Sequence, residues 1–297
     1  MAQARLDRRE QLTGWAFTAP ALILLGLFMI YPIVWSLWMS FQVGKGMNLS
    51  FGGFTNIVRL TKDPVFLRAL GNTFTFFIIQ VPIMIVLALL FAVALNDSTL
   101  RFRGLFRTAI FLPCVTSLIA YSTVFKSMFA NDGVINQALM GLHIIGAPIA
   151  WFSDPFWAKV VIIIAITWRW TGYNMIFYLA ALQNVDRSIY EAARIDGVPA
   201  WARFTQITIP MLKPVILFTT VISTIGTLQL FDEVYNFTAG NGGPSDSTLT
   251  LSLYIYNLTF KFMPSFGYSA TVSWVIVVVV GILSLIQFLI ARDRRSS

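Results

Sequence analysis

Six regions of this sequence stay apolar and nearly charge-free for about 18 residues or more, the length a helix needs to cross the hydrocarbon core of a bilayer. The first lies between Glu10 and Lys45, centred on Ala19 to Trp38. The others run from Ala69 to Asn96, Thr108 to Phe125, Val160 to Val185, Pro214 to Phe231 and Phe262 to Ala291. Only the fourth carries a charge, Arg169. Hydrocarbon offers the backbone no hydrogen-bonding partner, so such runs must pair every N–H and C=O internally, as helices do. The composition agrees. Charged residues make up 11% of the chain and hydrophobic residues 57%, whereas a soluble domain carries roughly 25% charged residues. A soluble chain of about 300 residues still exposes about a quarter of its unfolded surface, too much for this composition. A soluble globular enzyme is therefore excluded, and so is a disordered chain, which needs low hydrophobicity and high charge.

One apolar stretch is a decoy. Gly133 to Ser153 is free of Lys, Arg, Asp and Glu but contains Asn136, Gln137, His143 and Pro148. Polar residues and Gly/Pro punctuation argue against a span. It reads as an outer loop with a short amphipathic helix at the interface. At the N-terminus Arg5, Arg8 and Arg9 precede an apolar stretch, as in a signal peptide. The stretch is too long for one and no small-residue cleavage site follows, so a retained first span is expected. Basic residues set the orientation. With both termini inside, the inner segments hold thirteen: Arg5, Arg8, Arg9, Arg101, Arg103, Arg107, Arg187, Arg194, Arg203, Lys213, Arg292, Arg294 and Arg295. The outer loops hold seven. The expectation is N-in, C-in. The net charge of +8 is then a matter of inner loops and not of nucleic acid. Cys114, the single cysteine, reads as a small core residue, and one His with one Cys leaves no His/Cys set for zinc.

The longest inner loop joins spans four and five. Asp186 or Ser188 is placed to cap a short helix, with Glu191 three residues after Ser188 as a capping-box partner. Ala192 and Ala193 favour helix and leave a small, flat face. Gly197 suits the left-handed residue that ends such a helix. Pro199 suits the first turn of a second helix, which Pro210 stops before span five. No inner loop has the glycine-rich phosphate cradle of an ATPase.

At this point the chain resembles the integral-membrane subunits of bacterial ABC importers. Their EAA loop reads E-A-A, three residues, G, nine residues, I-x-L-P. Here Glu191-Ala192-Ala193 is followed by three residues, Gly197, nine residues and Ile207-Thr208-Ile209-Pro210, with Ile209 in the leucine position. The segment from Phe54 to Phe66 with Asn72-Thr73 looks like the sugar-permease branch. So do Phe231 to Tyr235, Gly242-Gly243-Pro244 and Leu253 to Tyr256. These are similar to the maltose-type branch, and to its first permease more than its second.

The resemblance implies an all-α membrane protein of six transmembrane helices, with the type I ABC importer permease fold and cytoplasmic EAA coupling helices. It implies one permease domain over 1–297, with the coupling loop at 186–210 inside it. A soluble extracytoplasmic sugar-binding protein would deliver substrate to a pathway formed with a second homologous permease. Two ATPase subunits would use ATP and Mg, so the chain itself would need no cofactor and carry no catalytic or metal residue. Lipid would surround it, in the bacterial inner membrane, and nucleic acid would play no part. Glu191 would anchor the ATPase or cap the loop helix, and Ala192 and Ala193 would form the contact face. Gly197 would be the turn, and Ile207 and Pro210 the junction with span five.

A sugar needs hydrogen-bonding groups and an aromatic face in a cavity between helices. Trp170, Tyr173, Asn174 and Phe177 share one face of span four. Thr219, Ser223, Gly226 and Thr227 share a stripe of span five, with Gln229 nearby. Small and hydroxyl residues also favour plain helix packing, so both readings stay open for the second stripe. Arg169 is expected to pair with an acid such as Asp232 or Glu233 rather than to touch substrate. Rival functions are an ABC permease for an amino acid or glycerol phosphate, and an ATP-independent carrier. An intramembrane enzyme fails because Arg169 is the only charge well inside a span.

Overall fold

Two of the longest helices begin on the same dipeptide, Asp-Pro, and for the same reason. Asp63 accepts hydrogen bonds from the N–H groups of Val65 and Phe66, at 2.9 and 3.2 Å, and Asp154 does the same for Phe156 and Trp157, at 2.9 and 3.0 Å. Each aspartate satisfies two orphan donors, and each proline fills a first-turn position whose N–H has no partner.

The structure, a computed structural model, describes residues 2–97 and 99–293. Arg294 and Arg295 lie outside the described residues, as do the side chains of Arg5, Arg8, Arg9 and Arg292. The elements in order are α1 (Ala2–Leu25), a π turn (Gly26–Ile30), α2 (Tyr31–Ser40), β1 (Gln42–Lys45), β2 (Asn48–Phe51), α3 (Thr55–Lys62) and α4 (Pro64–Asn96). Then come α5 (Arg103–Val115), α6 (Leu118–Met128), α7 (Val134–Gly141), α8 (Pro155–Gln183), α9 (Arg187–Ile195), α10 (Ala200–Arg203), a π turn (Phe204–Thr208) and α11 (Ile209–Leu228). The chain ends with α12 (Asp232–Thr238), a single 3-10 turn (Pro244–Asp246), α13 (Leu251–Tyr256), a π turn (Asn257–Lys261) and α14 (Phe266–Asp293).

Contacts divide the chain into two compact units. One holds the residues up to Lys62 with Leu258–Trp274, and the other holds Asp63–Asn257 with the chain from Val275 onward. The smaller unit contains a feature an all-α reading misses, the antiparallel pair β1–β2 in the register Gln42↔Phe51 to Lys45↔Asn48. Gly46, at φ +58°, begins the two-residue turn. Asn56 locks the hairpin by donating to the carbonyls of Ser40 and Gln42, at 3.0 and 2.8 Å.

The larger unit is built on α4, α8 and α11. Ala88, Leu89, Ala92 and Leu95 of α4 meet Met175, Tyr178, Leu179 and Leu182 of α8 and Leu212 of α11 in a buried core. Small residues let the backbones approach. At Gly172 of α8 the approach is closest, because a Cβ there would collide with the carbonyl of Ile110 on α5.

Among the described residues five helices are long and apolar enough to cross a membrane, or six if one bent pair counts as a span. The bent pair is the third region. Expected as one run from Thr108 to Phe125, it breaks into α5 and α6, which diverge by 101°. Thr116 and Ser117 are extended at the break, ψ 142° and 131°, three residues after Pro113, where a missing N–H has already weakened the ladder. The fifth region departs as well. Pro210 does not stop a helix, since Ala200–Leu228 is continuous. The π turn Phe204–Thr208 ends two residues before Pro210, and Ile209 N–H closes it onto the Phe204 carbonyl. Widening the turn absorbs the proline without ending the helix. Pro32 follows the π turn Gly26–Ile30 in the same way.

The decoy stretch holds the short helix α7. Asn136, fully buried, organises it. Its amide donates to the carbonyls of Ala130, Asn131 and Ile149, and its oxygen accepts from Ile149 N–H and the Trp151 indole at 3.1 and 3.0 Å.

Candidate functional site

The larger unit contains a cleft of about 530 Å³. Three walls come from helices and the fourth from broken backbone. α4 contributes Gln80 and Met84, α8 contributes Arg169, Trp170, Tyr173 and Asn174, and α11 contributes Ser223, Gly226 and Thr227. Gln229, Leu230 and Phe231 follow where α11 ends, and Asp232 and Glu233 open α12. Of the seven residues expected to line a pathway, six lie on this cleft. Phe177 does not, and instead packs its ring edge-on to Tyr173 and tilted against Phe218, with centroids 5.1 and 5.7 Å away.

Burial separates contact from packing within those stripes. Asn174 and Thr227 are buried and already bonded. The Asn174 amide donates to the Trp170 carbonyl at 3.1 Å, and the Thr227 hydroxyl donates to Gln80 Oε1 at 3.0 Å. Thr219 is packed too, 2.6 Å from the Tyr178 hydroxyl. Trp170 and Gln229 are exposed on the cleft, while Tyr173 and Ser223 are half-buried there. So the hydroxyl stripe of α11 divides, with Thr219 and Thr227 buried between helices and Ser223, whose hydroxyl donates to Asn174 Oδ1 at 3.4 Å, half-buried on the cleft. Gln80 and Met84 were missed. Gln80 had a signal, as the one amide between Asn72 and Asn96 in the second region.

Arg169 pairs with Glu233 at 3.8 Å and not with Asp232. Its guanidinium also lies 5.0 Å from the centre of the Tyr121 ring. The Trp170 indole N–H donates to Glu233 Oε1 at 3.3 Å, so the carboxylate orients both neighbours.

A second groove, of about 630 Å³, lies against the loop from Asp186 to Pro210. Asp186, not Ser188, caps α9, accepting from Ser188 N–H at 2.9 Å. Ser188 therefore sits inside the helix, and the Ser188–Glu191 capping box does not form. The bond from Ser188 N–H holds the Asp186 carboxyl below the usual carboxylate range. Hydrogen bonds from Thr99 do the same for Asp97, whose carboxyl shares the groove with Arg194. Gly197, at φ +71°, ends α9, with Val198 N–H bonded to the Ala193 carbonyl at 2.9 Å. Pro199 stands just before the second helix, which begins at Ala200. Tyr190 reaches across to Thr208 at 3.1 Å and braces α9 against the π turn.

Glu191, Ala192, Gly197 and Pro210 are exposed and Ile207 is half-buried. Ala193 differs from expectation. It is 7% exposed and faces its own chain, because the inward side of α9 falls one residue past Ala192. Ile195 and Trp201 are large apolar residues of this loop left 86% and 70% exposed.

Fold and sites together define a multi-pass helical membrane protein with a polar cleft between its helices. Residues 49–296 match the family described as binding-protein-dependent transport system inner membrane component, and the chain belongs to that family. It is 67% identical over 294 residues to the lactose transport system permease protein LacF of Rhizobium radiobacter, covering 99% of each chain. It is 35% identical to the arabinooligosaccharides transport system permease protein AraP of Halalkalibacterium halodurans, over 94% of this chain and 87% of that one. Its fold matches a chain of a bacterial ABC transporter involved in the import of the acidic polysaccharide alginate. That match has a TM-score of 0.81, 23% identity, and coverage of 98% and 99% of the two chains. A second solved structure holds an alginate ABC transporter with an alginate pentasaccharide-bound periplasmic protein, at a TM-score of 0.75, 24% identity and 96% and 94% coverage.

Proposed function

We propose that this chain is the pathway-forming permease of an ATP-driven importer of a carbohydrate, lactose or a similar small oligosaccharide. The observation that carries the reading is the cleft itself. It offers an exposed indole at Trp170, a phenol at Tyr173, and amide and hydroxyl groups at Gln229 and Ser223. Aromatic faces and uncharged hydrogen-bonding groups suit a polyhydroxylated ring. Relatives named for lactose and arabinooligosaccharide transport support the same class.

The chain sits in the inner membrane with both termini and the loop from Asp186 to Pro210 on the cytoplasmic side. A second homologous permease completes the pathway, and an extracytoplasmic binding protein delivers the sugar. Two ATPase subunits take up the coupling loop and use ATP and Mg. Glu191, Ala192 and the exposed Ile195 and Trp201 form the docking face, with Ala193 behind them. The brace from Tyr190 to Thr208 supports this, because a lever must move as one body with the helix it drives. Nucleotide can drive such a cycle only through different affinities for its two conformations.

The test is uptake of labelled lactose by the assembled transporter in proteoliposomes, with its binding protein, with and without ATP. ATP-dependent uptake is expected, and Tyr173→Ala is expected to lower it about tenfold, the loss of one aromatic sugar contact. Uptake that persists without ATP, or a Tyr173→Ala variant with unchanged affinity and rate, refutes the assignment.

A further inference from the structure

The cleft contains ionic groups that the sugar reading does not use. Arg169 is the only basic side chain among the described residues that line it, and two carboxylates, Glu233 and Asp232, line it too. The cation is taken up within the protein. Glu233 lies 3.8 Å away, and the Tyr121 and Trp170 rings lie 5.0 and 5.6 Å from the guanidinium carbon. Its Nε and Nη1 are buried and have no hydrogen-bond partner. Arg169 and Glu233 are only 13% and 8% exposed, so solvent screens the pair little. Asp232 is exposed beside them. The lining therefore carries one covered cation against two carboxylates.

A cleft built for an anionic sugar needs an open guanidinium or ammonium, because a carboxylate or sulfonate is held by charge-assisted bonds from such groups. Here the guanidinium is largely buried beside Glu233, and the exposed charge, Asp232, has the wrong sign. We propose that Arg169 and Glu233 form a charge filter that, with Asp232, sets the cleft for uncharged carbohydrates and against acidic ones. The proposal rests on the carbohydrate reading and narrows it to neutral sugars. Arg169 and Glu233 act as specificity-determining residues: they hold the field of the cleft at neutral to negative, while Trp170, Tyr173 and Gln229 contact the ring.

The experiment is equilibrium dialysis of the purified transporter without its binding protein, so that selectivity belongs to the membrane chains. The probes are radiolabelled lactose and lactobionate, which keeps the galactose and adds a carboxylate. Wild type is expected to hold lactose at least about tenfold more tightly, the order of effect that like charges impose at short range in a partly buried site. Glu233→Gln, which leaves Arg169 uncompensated, is expected to shrink that ratio at least about tenfold. Asp232→Asn lies at an exposed position, does not threaten the fold, and is expected to shrink it about threefold. Equal binding of both sugars by wild type, or ratios unchanged in both Glu233→Gln and Asp232→Asn, overturns the filter and leaves the carbohydrate reading intact. Binding of neither sugar by wild type overturns the filter, while the carbohydrate reading is judged by the uptake assay with the binding protein present.

Discussion

Replacing Gly197 with valine isolates the proposed coupling loop from the rest of the fold. Gly197 occupies φ +71°, and a Cβ built there meets nothing within 4 Å. The cost of a side chain is therefore backbone strain alone. An L-residue in the left-handed region costs about 1–2 kcal/mol, with β-branched residues at the upper end and asparagine near the lower. At about 2 kcal/mol the ratio of formed to unformed turn falls roughly 30-fold. The strain acts on two bonds that end α9, Gly197 N–H to the Arg194 carbonyl at 3.1 Å and Val198 N–H to the Ala193 carbonyl at 2.9 Å. Losing them frees α9 from α10 and loosens the brace at Tyr190. The core of α4, α8 and α11 lies elsewhere and keeps its packing. The expected result is normal membrane insertion and melting temperature, with ATP-driven uptake falling in the order Gly, Asn, Ala, Val. Sugar-stimulated ATPase activity of the assembled complex should fall in parallel. A valine variant with wild-type uptake, or an order that ignores left-handed tolerance, refutes the lever.

Three further outcomes follow from other contacts. Gly172→Leu drives a side chain into the Ile110 carbonyl and separates α5 from α8, so at least about 3 kcal/mol of stability is lost and little protein survives detergent extraction. Thr219→Val leaves the buried Tyr178 hydroxyl without its 2.6 Å partner and costs about 1–3 kcal/mol, read as a lower melting temperature with uptake retained at 25 °C. Asp186 has a carboxyl held below its ordinary range, so its contribution to the loop is present at neutral pH and is lost only as pH falls below that range. Uptake should therefore keep its cap-dependent part down to mildly acidic pH, and Asp186→Ala should weaken coupling at pH 7, whereas Asp186→Asn, also a capping residue, should not. A pH profile identical in Asp186→Ala and wild type counts against this.

Most of the helices were legible in the sequence because hydrocarbon imposes one solution on long apolar runs. Both Asp-Pro starts, Gly197 as a terminator and the loop from Asp186 to Pro210 are local chemistry, written within a few residues of where they act. The cleft was half legible. A 3.6-residue period places Trp170, Tyr173 and Asn174 on one face, but not what lies opposite. Gln80 and Met84 come to that face from a helix about 90 positions away in sequence, and Glu233 rather than Asp232 meets Arg169 only because α11 ends and α12 turns as they do.

The sequence by itself determined that this chain crosses a membrane, roughly where it does so, and that the loop after span four holds a short helix ended by Gly197. Those properties follow from solvent and from short-range propensity. Tertiary structure alone decided which polar residues pack and which face space. The hydroxyls of Thr219 and Ser223 stand four residues apart on one stripe, yet one is fully buried against Tyr178 and the other, bonded to Asn174, lies at the edge of the cleft. It also decided that Ala193 turns inward, that the third region breaks by 101°, and that Pro210 sits within a continuous helix. The physical reason is the same each time. A side chain or a proline carries its own preferences, but whether its bonds are met depends on a neighbour that only packing supplies.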